Sequence, residues 1–468
     1  MKQIISAIAV MLIVVAGCKK NNIDTLADEP LLLTKGALQT VTGQFVPNEL
    51  LIKFKKTTSQ KSRTQLLSII NGKISEQIIT GAMINAGDDE GVYLVSTTKD
   101  VFSAIARMKG ESDVAYAEPN WIYSHAIVSD DKYFINGSLW GMYGDNTSPA
   151  NQYGCQAALA WAAEHTGSSD VFVGVIDEGA MYTHEDLLGN FGNPREIAGN
   201  KKDDDGNGKV DDTYGWDFVS NDNTTFDGTS DDHGTHVSGT IGAVGGNGKG
   251  VAGVNWHVKI ISAKFLGRNG GTTANAIKAV DYLTGLKNLH PTLDIVASNN
   301  SWGGGGFSQG LLDAIARGAN KNILFIAAAG NNSSNNDIID NYPSNYNTNG
   351  ITVSNGTCNY DAVIAVAALV DDGSLAYYSN YGATTVDLGA PGSGIYSTLP
   401  PNTYGSYSGT SMATPHVTGG AALYAATHVA RGSDLRSAII TSITPTSSIS
   451  KTSSTPTATG GRLNVGGF

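Results

Sequence analysis

Five apolar runs of five to seven residues constrain the fold of this chain more than any other feature. Stretches long enough to form helices separate them. Strands that are buried on both faces have near-continuous apolar sequences, and they occur in parallel sheets with helices packed on each side. The sequence therefore predicts an α/β domain with a parallel β-sheet flanked by helices, whose strands include residues 171–176, 258–263, 293–297, 323–329 and 362–368.

A smaller unit precedes this domain. Its sequence alternates between strand and helix patterns, at residues 49–54, 65–70, 91–95, 101–109 and 114–118. We therefore predict a small α+β domain over residues 46–120, followed over residues 121–150 by a linker and the start of the mature chain. The main α/β domain is predicted over residues 151–468, with a surface loop in its Ser/Thr-rich stretch 441–459.

The chain begins with one early lysine, an apolar run over residues 4–15 and small residues before Cys18. This run is shorter than the roughly 20 apolar residues that span a bilayer, and it predicts a secretory signal peptide over residues 1–17. Residues 15–18, Val-Ala-Gly-Cys, resemble the lipobox at which bacterial lipoproteins are cleaved and acylated on cysteine. We expect lipidation at Cys18, a tether over residues 18–45 and membrane attachment through the lipid alone. The alternative is an ordinary signal peptide with an incidental cysteine.

Acidic residues outnumber basic ones, with 42 Asp and Glu against 30 Lys and Arg and a formal net charge of -12. With no long basic run, this composition argues against nucleic acid as a partner. Besides Cys18 the chain has Cys155 and Cys358. Because exported proteins meet an oxidising environment, two alternatives stay open for this pair, a disulfide or two buried thiols.

Three short motifs contain residue types that carry acid–base and nucleophilic chemistry. Asp177 follows the first apolar run, at a predicted carboxyl end of a strand, where functional groups collect in α/β sheets. His233 begins a His-Gly-Thr-His motif. Ser411 lies in Gly-Thr-Ser-Met-Ala, at the predicted start of a helix whose N–H groups and dipole favour a developing oxyanion. A zinc pair of His233 and His236 is the alternative for the second motif, but no third ligand follows at suitable spacing, so no catalytic metal is expected.

The chain order Asp, His, Ser differs from the order in α/β-hydrolases and in chymotrypsin. With these motifs it resembles the subtilisin-like serine protease family over about residues 133–468. The resemblance implies that Ser411 is the nucleophile, His233 the general base and Asp177 the residue that orients the imidazole. It also implies that the amide of Asn331 is an oxyanion donor. Glu178 departs from the family, which usually has Thr or Ser at that position.

The resemblance further implies where a substrate binds. The segments Ser-Trp-Gly-Gly and Ala-Ala-Ala-Gly are similar to those that line the primary specificity pocket in this family, and they would bind an extended peptide as an added strand. Proteins and peptides are therefore the expected substrates, cleaved by an endopeptidase. Asp340, beside the expected pocket floor, leads to the hypothesis that a basic P1 side chain is accepted. The expected binding residues are Ser301, Trp302, Gly303, Gly304, Ala328, Gly330 and Asn341.

Oxygen-bearing side chains alternate along residues 203–212. Their spacing gives half of a calcium loop, while Tyr214 replaces the terminal bidentate Glu of an EF-hand. We predict a structural Ca²⁺ here, with a solvated acidic turn as the alternative. The resemblance also suggests a second calcium site at Asp186 and Asn247. The predicted ligands in the loop are Asp203, Asp205, Asn207, the carbonyl of Lys209, and Asp211.

Residues 46–120 resemble the inhibitory propeptide of the same family, which implies an intramolecular inhibitor that is later cleaved away. Since Cys18 precedes this unit and the catalytic motifs follow it, cleavage within residues 121–133 would separate the enzyme from its lipid. The predicted location is the bacterial cell envelope as a lipoprotein, or outside the cell after maturation. Three alternatives stay open: a permanent accessory domain over residues 46–120, a catalytically silent binding lipoprotein with the same fold, and an adhesive calcium-binding module.

Overall fold

The structure, a computed structural model, describes residues 45–122 and 128–468. The chain divides between Tyr123 and Ser124 into two compact units. The predicted signal peptide, the lipidation site Cys18 and the tether up to residue 44 lie outside the described residues.

The N-terminal unit is a four-stranded antiparallel sheet whose apolar face is covered by helices. Side chains alternate along its first strand, so that Leu50, Ile52 and Phe54 are fully buried against the helices. The strand order is β2-β3-β1-β4. The elements are β1 (Phe45–Phe54), α1 (Gln60–Ile69), β2 (Lys73–Ile78), α2 (Gly81–Asn85), β3 (Val92–Ser96), α3 (Val101–Lys109) and β4 (Val114–Trp121).

Two features of this unit differ from the sequence-based prediction. The last strand, predicted over residues 114–118, extends to Trp121 as β4, where Pro119 pairs with Leu50. A proline is tolerated there because β4 is an edge strand, on which a missing N–H need not interrupt the sheet. β2 was not predicted, because all of its residues are exposed or half-buried and it has no apolar run.

The second unit contains a nine-stranded sheet, which confirms the predicted α/β fold. Neighbouring strands are parallel except β18 and β19, and the order is β18-β19-β15-β14-β11-β10-β5-β7-β6. The sheet strands are β5 (Gly167–Asp177), β6 (Gly215–Asp217), β7 (His257–Lys264), β10 (Asp294–Asn300), β11 (Leu324–Ala328), β14 (Val363–Leu369), β15 (Leu388–Pro391), β18 (Ile443–Pro445) and β19 (Gly461–Leu463).

Helices and short hairpins complete this unit. The helices are α4 (Lys132–Ile135), α5 (Ala157–Ala162), α6 (Asp232–Gly242), α7 (Thr273–Leu289), α8 (Gln309–Ala319), α9 (Thr410–Thr427) and α10 (Ser433–Thr441). The hairpin strands are β8 (Leu266–Gly267) with β9 (Gly270–Gly271), β12 (Thr352–Val353) with β13 (Gly356–Thr357), and β16 (Ile395–Leu399) with β17 (Thr403–Tyr407).

Both faces of the large sheet are buried. From β5, Val171, Val173 and Val175 pack into one core with α6 and α9, whereas Phe172 and Ile176 pack into a second core with α7 and α8. This two-sided burial explains why the strand reads as an uninterrupted apolar run.

The chain reverses its direction of winding at β5. β7 pairs with one edge of this strand and β10 with the other, both in parallel. Ligand sites in open α/β sheets lie in the crevice at the carboxyl ends of the strands beside such a reversal. The topology therefore points to the carboxyl end of β5, which is Asp177.

Other predictions meet mixed outcomes in this unit. The stretch 441–459 is not wholly a surface loop, because it contains β18 and a 3₁₀ turn in which Ile449 is fully buried. Cys155 and Cys358 are both free and buried, in agreement with the second alternative for this pair. Within residues 45–122 and 128–468, no helix combines the length and the apolar character that crossing a bilayer requires.

Candidate active site

Three polar residues stand at the carboxyl ends of neighbouring strands. Asp177 is the last residue of β5, Ser301 follows β10 directly, and Asn331 comes shortly after β11. Because these strands are adjacent and parallel, the three residues lie along one edge of the sheet. This edge is the one that the reversal of winding selects.

The side chains of Asp177 and His233 form a hydrogen-bonded pair. His233 is the second residue of α6, and its Nδ1 lies 2.9 and 3.1 Å from the two carboxylate oxygens of Asp177. Asp177 is buried, whereas the imidazole is 28% exposed. Burial alone would lower the pKa of His233, but the charge and hydrogen bond of Asp177 raise this pKa to about 9. The pair holds a proton on Nδ1 and leaves Nε2 available to a substrate or nucleophile.

His233 and Ser411 each lie in the first turn of a helix, and one buried side chain joins these two helices. The amide nitrogen of Asn255 donates hydrogen bonds to the carbonyls of Ile241 in α6, at 3.2 Å, and of Gly419 in α9, at 2.9 Å. Each carbonyl is eight residues beyond its helix's candidate catalytic residue, which is about 12 Å along an α-helix. Asn255 therefore fixes how α6 and α9 are placed along their axes, and with them the relative positions of His233 and Ser411.

Ser411 exchanges two hydrogen bonds with Ser301. The Ser301 hydroxyl donates to the Ser411 carbonyl at 2.8 Å, and the Ser411 hydroxyl donates to the Ser301 carbonyl at 3.1 Å. The Ser411 carbonyl is open to this contact because the residue four positions later, Pro415, has no N–H to complete the helical bond. Among the described residues, no hydrogen bond joins Ser411 directly to His233.

Asn331 is held by its oxygen, which leaves its amide N–H groups free to act as donors. Its Oδ1 accepts hydrogen bonds from the backbone N–H and from the hydroxyl of Thr410, both at 2.9 Å. The preceding Gly330 has φ +110°, and a Cβ at that position would lie 2.5 Å from the Asn380 amide nitrogen. Glycine is thus required for the turn that presents Asn331.

A cavity of about 210 Å³ brings most of the predicted residues together. Ser411 and Asn331 line it together with six of the seven expected substrate-binding residues. Ser301 is the exception, since it does not line the cavity but forms hydrogen bonds with Ser411. Asn332 and Thr410 also line the cavity and were not predicted; they directly follow Asn331 and precede Ser411 in the sequence. The six expected residues are Trp302, Gly303, Gly304, Ala328, Gly330 and Asn341.

Two further cavities differ in their relation to this site. One of about 260 Å³ shares Trp302, Gly303 and Gly304 with the first and is bordered by aromatic rings, those of Phe265, Tyr342 and Tyr346 among them. The other is larger, about 460 Å³, but it lies between α9, α10 and Phe468 and includes none of the candidate catalytic residues. The volume of a cavity therefore does not identify the site. The carboxyl ends of β5, β10 and β11 and the first turns of α6 and α9 do.

A model of the subtilase family matches residues 168–462 of this chain. The chain belongs to the subtilase family. A second family model, the fervidolysin N-terminal prodomain, matches residues 34–120, so this subtilase has a propeptide domain before its catalytic domain.

Individual relatives agree with the family model. "Thermophilic serine proteinase" of Bacillus sp. (strain AK1) is 31% identical to this subtilase over 82% of this chain and 79% of its own length. "Thermitase" of Thermoactinomyces vulgaris is 34% identical over 59% of this chain and 82% of its own. A solved structure of a protease from Pseudoalteromonas arctica superposes with a TM-score of 0.55 at 27% identity, covering 73% of this chain and 98% of that one. This subtilase is accordingly a serine peptidase of the subtilisin type.

Glu178, the departure from the family pattern, contacts the candidate general base through the backbone. Its Oε1 accepts a hydrogen bond of 2.7 Å from the N–H of His233. Burial, and then the adjacent charge of Asp177, raise the pKa of Glu178 to about 7. The side chain therefore takes part in the arrangement of the site.

The acidic loop of this subtilase gathers a different set of carboxylates from the predicted one. Oxygens of Glu196, Asp203 and Asp205 lie within 4.8 Å of one another. Glu196, which the sequence did not indicate, comes from a segment before the loop. Asp211 is not part of the group, and its oxygens accept hydrogen bonds of 2.9 Å from the backbone N–H groups of residues 200 and 201. The predicted Lys209 places its ammonium group 4.5 Å from the centre of the Trp216 ring.

Two buried carboxylate oxygens, one before this loop and one within it, have no hydrogen-bond partner among the described residues. They are Oε2 of Glu196 and Oδ1 of Asp212. Asp212 is fully buried, and its other oxygen accepts hydrogen bonds from the Tyr282 hydroxyl at 2.6 Å and from the predicted ligand Asn207 at 2.8 Å. Buried anionic oxygens without partners are costly unless a cation compensates them, so these residues fit a bound calcium ion.

The second predicted calcium site fits a cation poorly. Asp186 and Asn247 are in contact, but the Asn247 amide donates to Asp186 at 2.9 Å, and the N–H of Val251 fills the other carboxylate oxygen at 2.8 Å. The neighbouring Asp131 likewise accepts from the N–H groups of Gly246 and Asn247. In contrast to the acidic loop, no buried carboxylate oxygen at this second site lacks a hydrogen-bond partner among the described residues, so no uncompensated charge calls for a cation.

Proposed function

We propose that this subtilase is an exported serine endopeptidase that hydrolyses peptide bonds through Asp177, His233, Ser411 and Asn331. The observation that carries the proposal is the placement of these residues. Nδ1 of His233 lies 2.9 Å from a carboxylate oxygen of Asp177, and Ser411 and Asn331 line one cavity. Asn255 joins the helices that carry His233 and Ser411, and Thr410 binds Asn331.

Ser411 acts as the nucleophile once its hydroxyl turns from the Ser301 carbonyl toward Nε2 of His233. Such catalytic hydrogen bonds are often absent or long before the substrate binds. Its oxygen attacks the scissile carbonyl carbon while Nε2 takes the hydroxyl proton. His233 then gives this proton to the leaving amine, and an acyl-enzyme forms. A water molecule, activated in turn by His233, attacks the acyl carbon and releases Ser411.

The oxyanion of each tetrahedral intermediate receives hydrogen bonds from the amide of Asn331 and from the backbone N–H of Ser411. Thr410 supports this role, because its two hydrogen bonds to Oδ1 of Asn331 leave the amide N–H groups to face the cavity. Ser411 stands in the first turn of α9, whose dipole also favours negative charge. Asp177 stabilises the imidazolium that accompanies the oxyanion.

The primary pocket favours an uncharged P1 side chain, in place of the basic residue considered from the sequence. No residue that lines the 210 Å³ cavity carries an ionisable side chain apart from the Ser411 hydroxyl and that of Thr410, which stay neutral near pH 7. Asp340 is not among the lining residues, and its carboxylate accepts a hydrogen bond of 3.2 Å from the Tyr342 hydroxyl. The 260 Å³ cavity, which adjoins the primary pocket and is bordered by aromatic rings, would accept an apolar side chain further along an extended peptide.

The N-terminal unit acts as an intramolecular inhibitor and is removed on maturation. Support comes from the prodomain match over residues 34–120 and from the separate compactness of the unit that ends at Tyr123. Cleavage within residues 121–133 would leave the lipid on Cys18 with the propeptide and release the catalytic domain. The zymogen is then a bacterial envelope lipoprotein, and the mature enzyme is secreted.

A structural calcium ion binds at the acidic loop. Glu196, Asp203 and Asp205 would supply carboxylate oxygens, and Asn207 links this cluster to the buried Asp212 through hydrogen bonds to Asp205 and Asp212. The ion would neutralise like charges in a buried cluster and so stabilise the loop beside β6 and α7. It takes no part in the hydrolysis.

Hydrolysis of casein tests the proposal directly. We expect residues 19–468 to degrade casein in calcium-containing buffer, and Ser411→Ala, His233→Ala and Asp177→Asn to lose at least about 10³-fold in rate. Intact mass spectrometry of the same samples follows maturation, and we expect wild type, but not Ser411→Ala, to shorten by about 100 to 115 residues. If folded, fully shortened wild-type protein hydrolyses nothing, the alternative of a catalytically silent binding lipoprotein replaces this proposal.

A further inference from the structure

Helix α6, which carries His233, begins without a cap from its own sequence. Its N-cap residue, Asp231, makes no side-chain cap hydrogen bond. Instead, Asp231 binds the ammonium group of Lys264 at 2.9 Å. The first N–H groups of any α-helix lack intrahelical partners, and a helix end without substitutes is destabilised.

Glu178 supplies the missing cap from another element. It follows β5 directly, and its Oε1 accepts the N–H of His233 at 2.7 Å. Lys264 donates a hydrogen bond to the Glu178 carbonyl, and the Glu178 N–H donates to Asp177 at 2.8 Å, so the backbone on both sides of the carboxylate is held. The carboxylate is thereby fixed beside the residue that we propose as the general base.

The position of this carboxylate also has an electrostatic consequence. Asp177 binds the imidazole of His233 and Glu178 binds the backbone N–H of the same residue, so two carboxylates lie close to one imidazole. A second negative charge favours the protonated form of the imidazole, which cannot act as a base. The charged or titratable groups that face Glu178 are Asp177, His233, Asp232, Lys264 and Tyr407.

We propose that Glu178 is a positioning residue for His233, whose single carboxylate both caps the start of the His233 helix and adds a second negative charge beside the imidazole. This inference rests on the proposed function of His233. It assigns a role to the position at which the chain departs from the family's usual Thr or Ser, since either of these would bring a hydroxyl but no charge.

The two contributions can be separated by substitution. Glu178→Gln keeps an oxygen that can accept the His233 N–H but removes the charge, whereas Glu178→Ala removes both. In the window between the pKa of Glu178, about 7, and that of His233, about 9, wild type has an ionised Glu178 beside a protonated His233. Removing the charge lowers the pKa of His233, so a larger fraction of the enzyme is active in this window.

The expected result for Glu178→Gln is a gain of activity at the acid side. We expect the acid limb of its kcat/KM profile to move by about one pH unit toward lower pH, which gives roughly fivefold higher kcat/KM near pH 8. The alkaline plateau and the Tm should stay close to those of wild type. Glu178→Ala should show the same displaced limb together with a lower Tm. Glu164→Gln, which removes one charge from an exposed position elsewhere, is the matched control and should leave the profile in place.

A second measurement does not depend on turnover. In Ser411→Ala, the low-field proton on Nδ1 of His233 can be followed by NMR against pH, with and without Glu178→Gln. We expect the imidazole to titrate at lower pH in the Gln variant. The inference is overturned if the titration of His233 and the acid limb are both unchanged in Glu178→Gln, even if Glu178→Ala lowers the Tm, because Glu178 would then be a cap alone. A shifted titration in a protein that hydrolyses nothing would uphold the role of Glu178 and contradict the proposed function instead.

Discussion

The Ser301 hydroxyl donates a hydrogen bond of 2.8 Å to the backbone carbonyl of Ser411. An α-helix would ordinarily satisfy that carbonyl through the N–H four residues later, but Pro415 has none. The hydroxyl of a residue at the end of β10 therefore completes the first turn of the helix that carries the nucleophile. Asn299 donates to the Ser301 hydroxyl at 2.9 Å and accepts from Thr418 in α9 at 3.1 Å, so the contact is held from both sides.

Ser301→Ala should therefore slow catalysis more than it weakens substrate binding. A lost hydrogen bond that leaves a carbonyl without a partner costs about 1–2 kcal/mol, so we expect kcat to fall by roughly tenfold while KM changes little. Steady-state kinetics on a peptide substrate measure both constants. Ser262→Ala, buried on β7, is the control, since its hydroxyl has no hydrogen-bond partner among the described residues. Equal effects of the two substitutions would show that Ser301 has no special role.

Asn331→Leu should reduce kcat by about 10²–10³-fold, because the side chain keeps a similar size but loses the donor to the oxyanion. Asn331 is exposed, so the Tm should change little. Thr410→Val should have a smaller effect, because the backbone N–H of residue 410 still holds Oδ1 of Asn331 when the hydroxyl is lost. The order of the two effects on kcat is the informative result. A Thr410→Val enzyme slower than Asn331→Leu would contradict the assignment.

Gly330→Ala should destabilise the mature enzyme, because residue 330 has φ +110° and a Cβ there would meet the Asn380 amide. A strained residue of this kind costs about 1–3 kcal/mol. Since proteases of this size commonly unfold irreversibly, the half-life at a fixed high temperature is the suitable measure. Gly305→Ala is the matched control, as a Cβ at that glycine meets nothing within 4 Å. Similar half-lives for the two variants would refute this reading of the Gly330 turn.

Chelation of calcium should lower the Tm of the mature enzyme by about 4 °C, as expected for an ion present at about 100 times its Kd in a domain of this size. Glu196→Gln should remove most of this response, because one buried ligand is lost. Asp211→Asn should keep it, because the Asp211 carboxylate binds the backbone N–H groups of residues 200 and 201. Differential scanning calorimetry with and without EDTA compares the three proteins. A response that depends on Asp211 and not on Glu196 would restore the ligand set inferred from the sequence.

Much of the fold could be predicted because strands that are buried on both faces consist almost entirely of apolar residues. The five apolar runs correspond to β5, β7, β10, β11 and β14, since each strand packs on both faces. β2 and β18 escaped prediction because they lie at sheet edges and bury few side chains.

The site residues that stand in short sequence motifs could be predicted. Those that reach the site only because the fold brings distant parts of the chain together could not. Ser411, Asn331 and most of the pocket residues stand in short motifs and meet in one cavity. Glu196 lies outside the alternating pattern of residues 203–212 but is close to Asp203 and Asp205 in the structure. Asn255 joins α6 and α9, and no motif in the sequence indicates this contact. Contacts of this kind depend on tertiary packing, which no periodicity along the chain reports.

Covalent labelling of the nucleophile tests the central claim most directly. The mature enzyme would be treated with a fluorophosphonate probe, digested, and the modified serine located by mass spectrometry. We expect one modified residue, Ser411, with labelling abolished in Ser411→Ala and strongly slowed in His233→Ala, because the hydroxyl needs the imidazole to lose its proton. Folded, fully matured enzyme that takes up no probe, or that is labelled at a serine other than Ser411, would contradict the account.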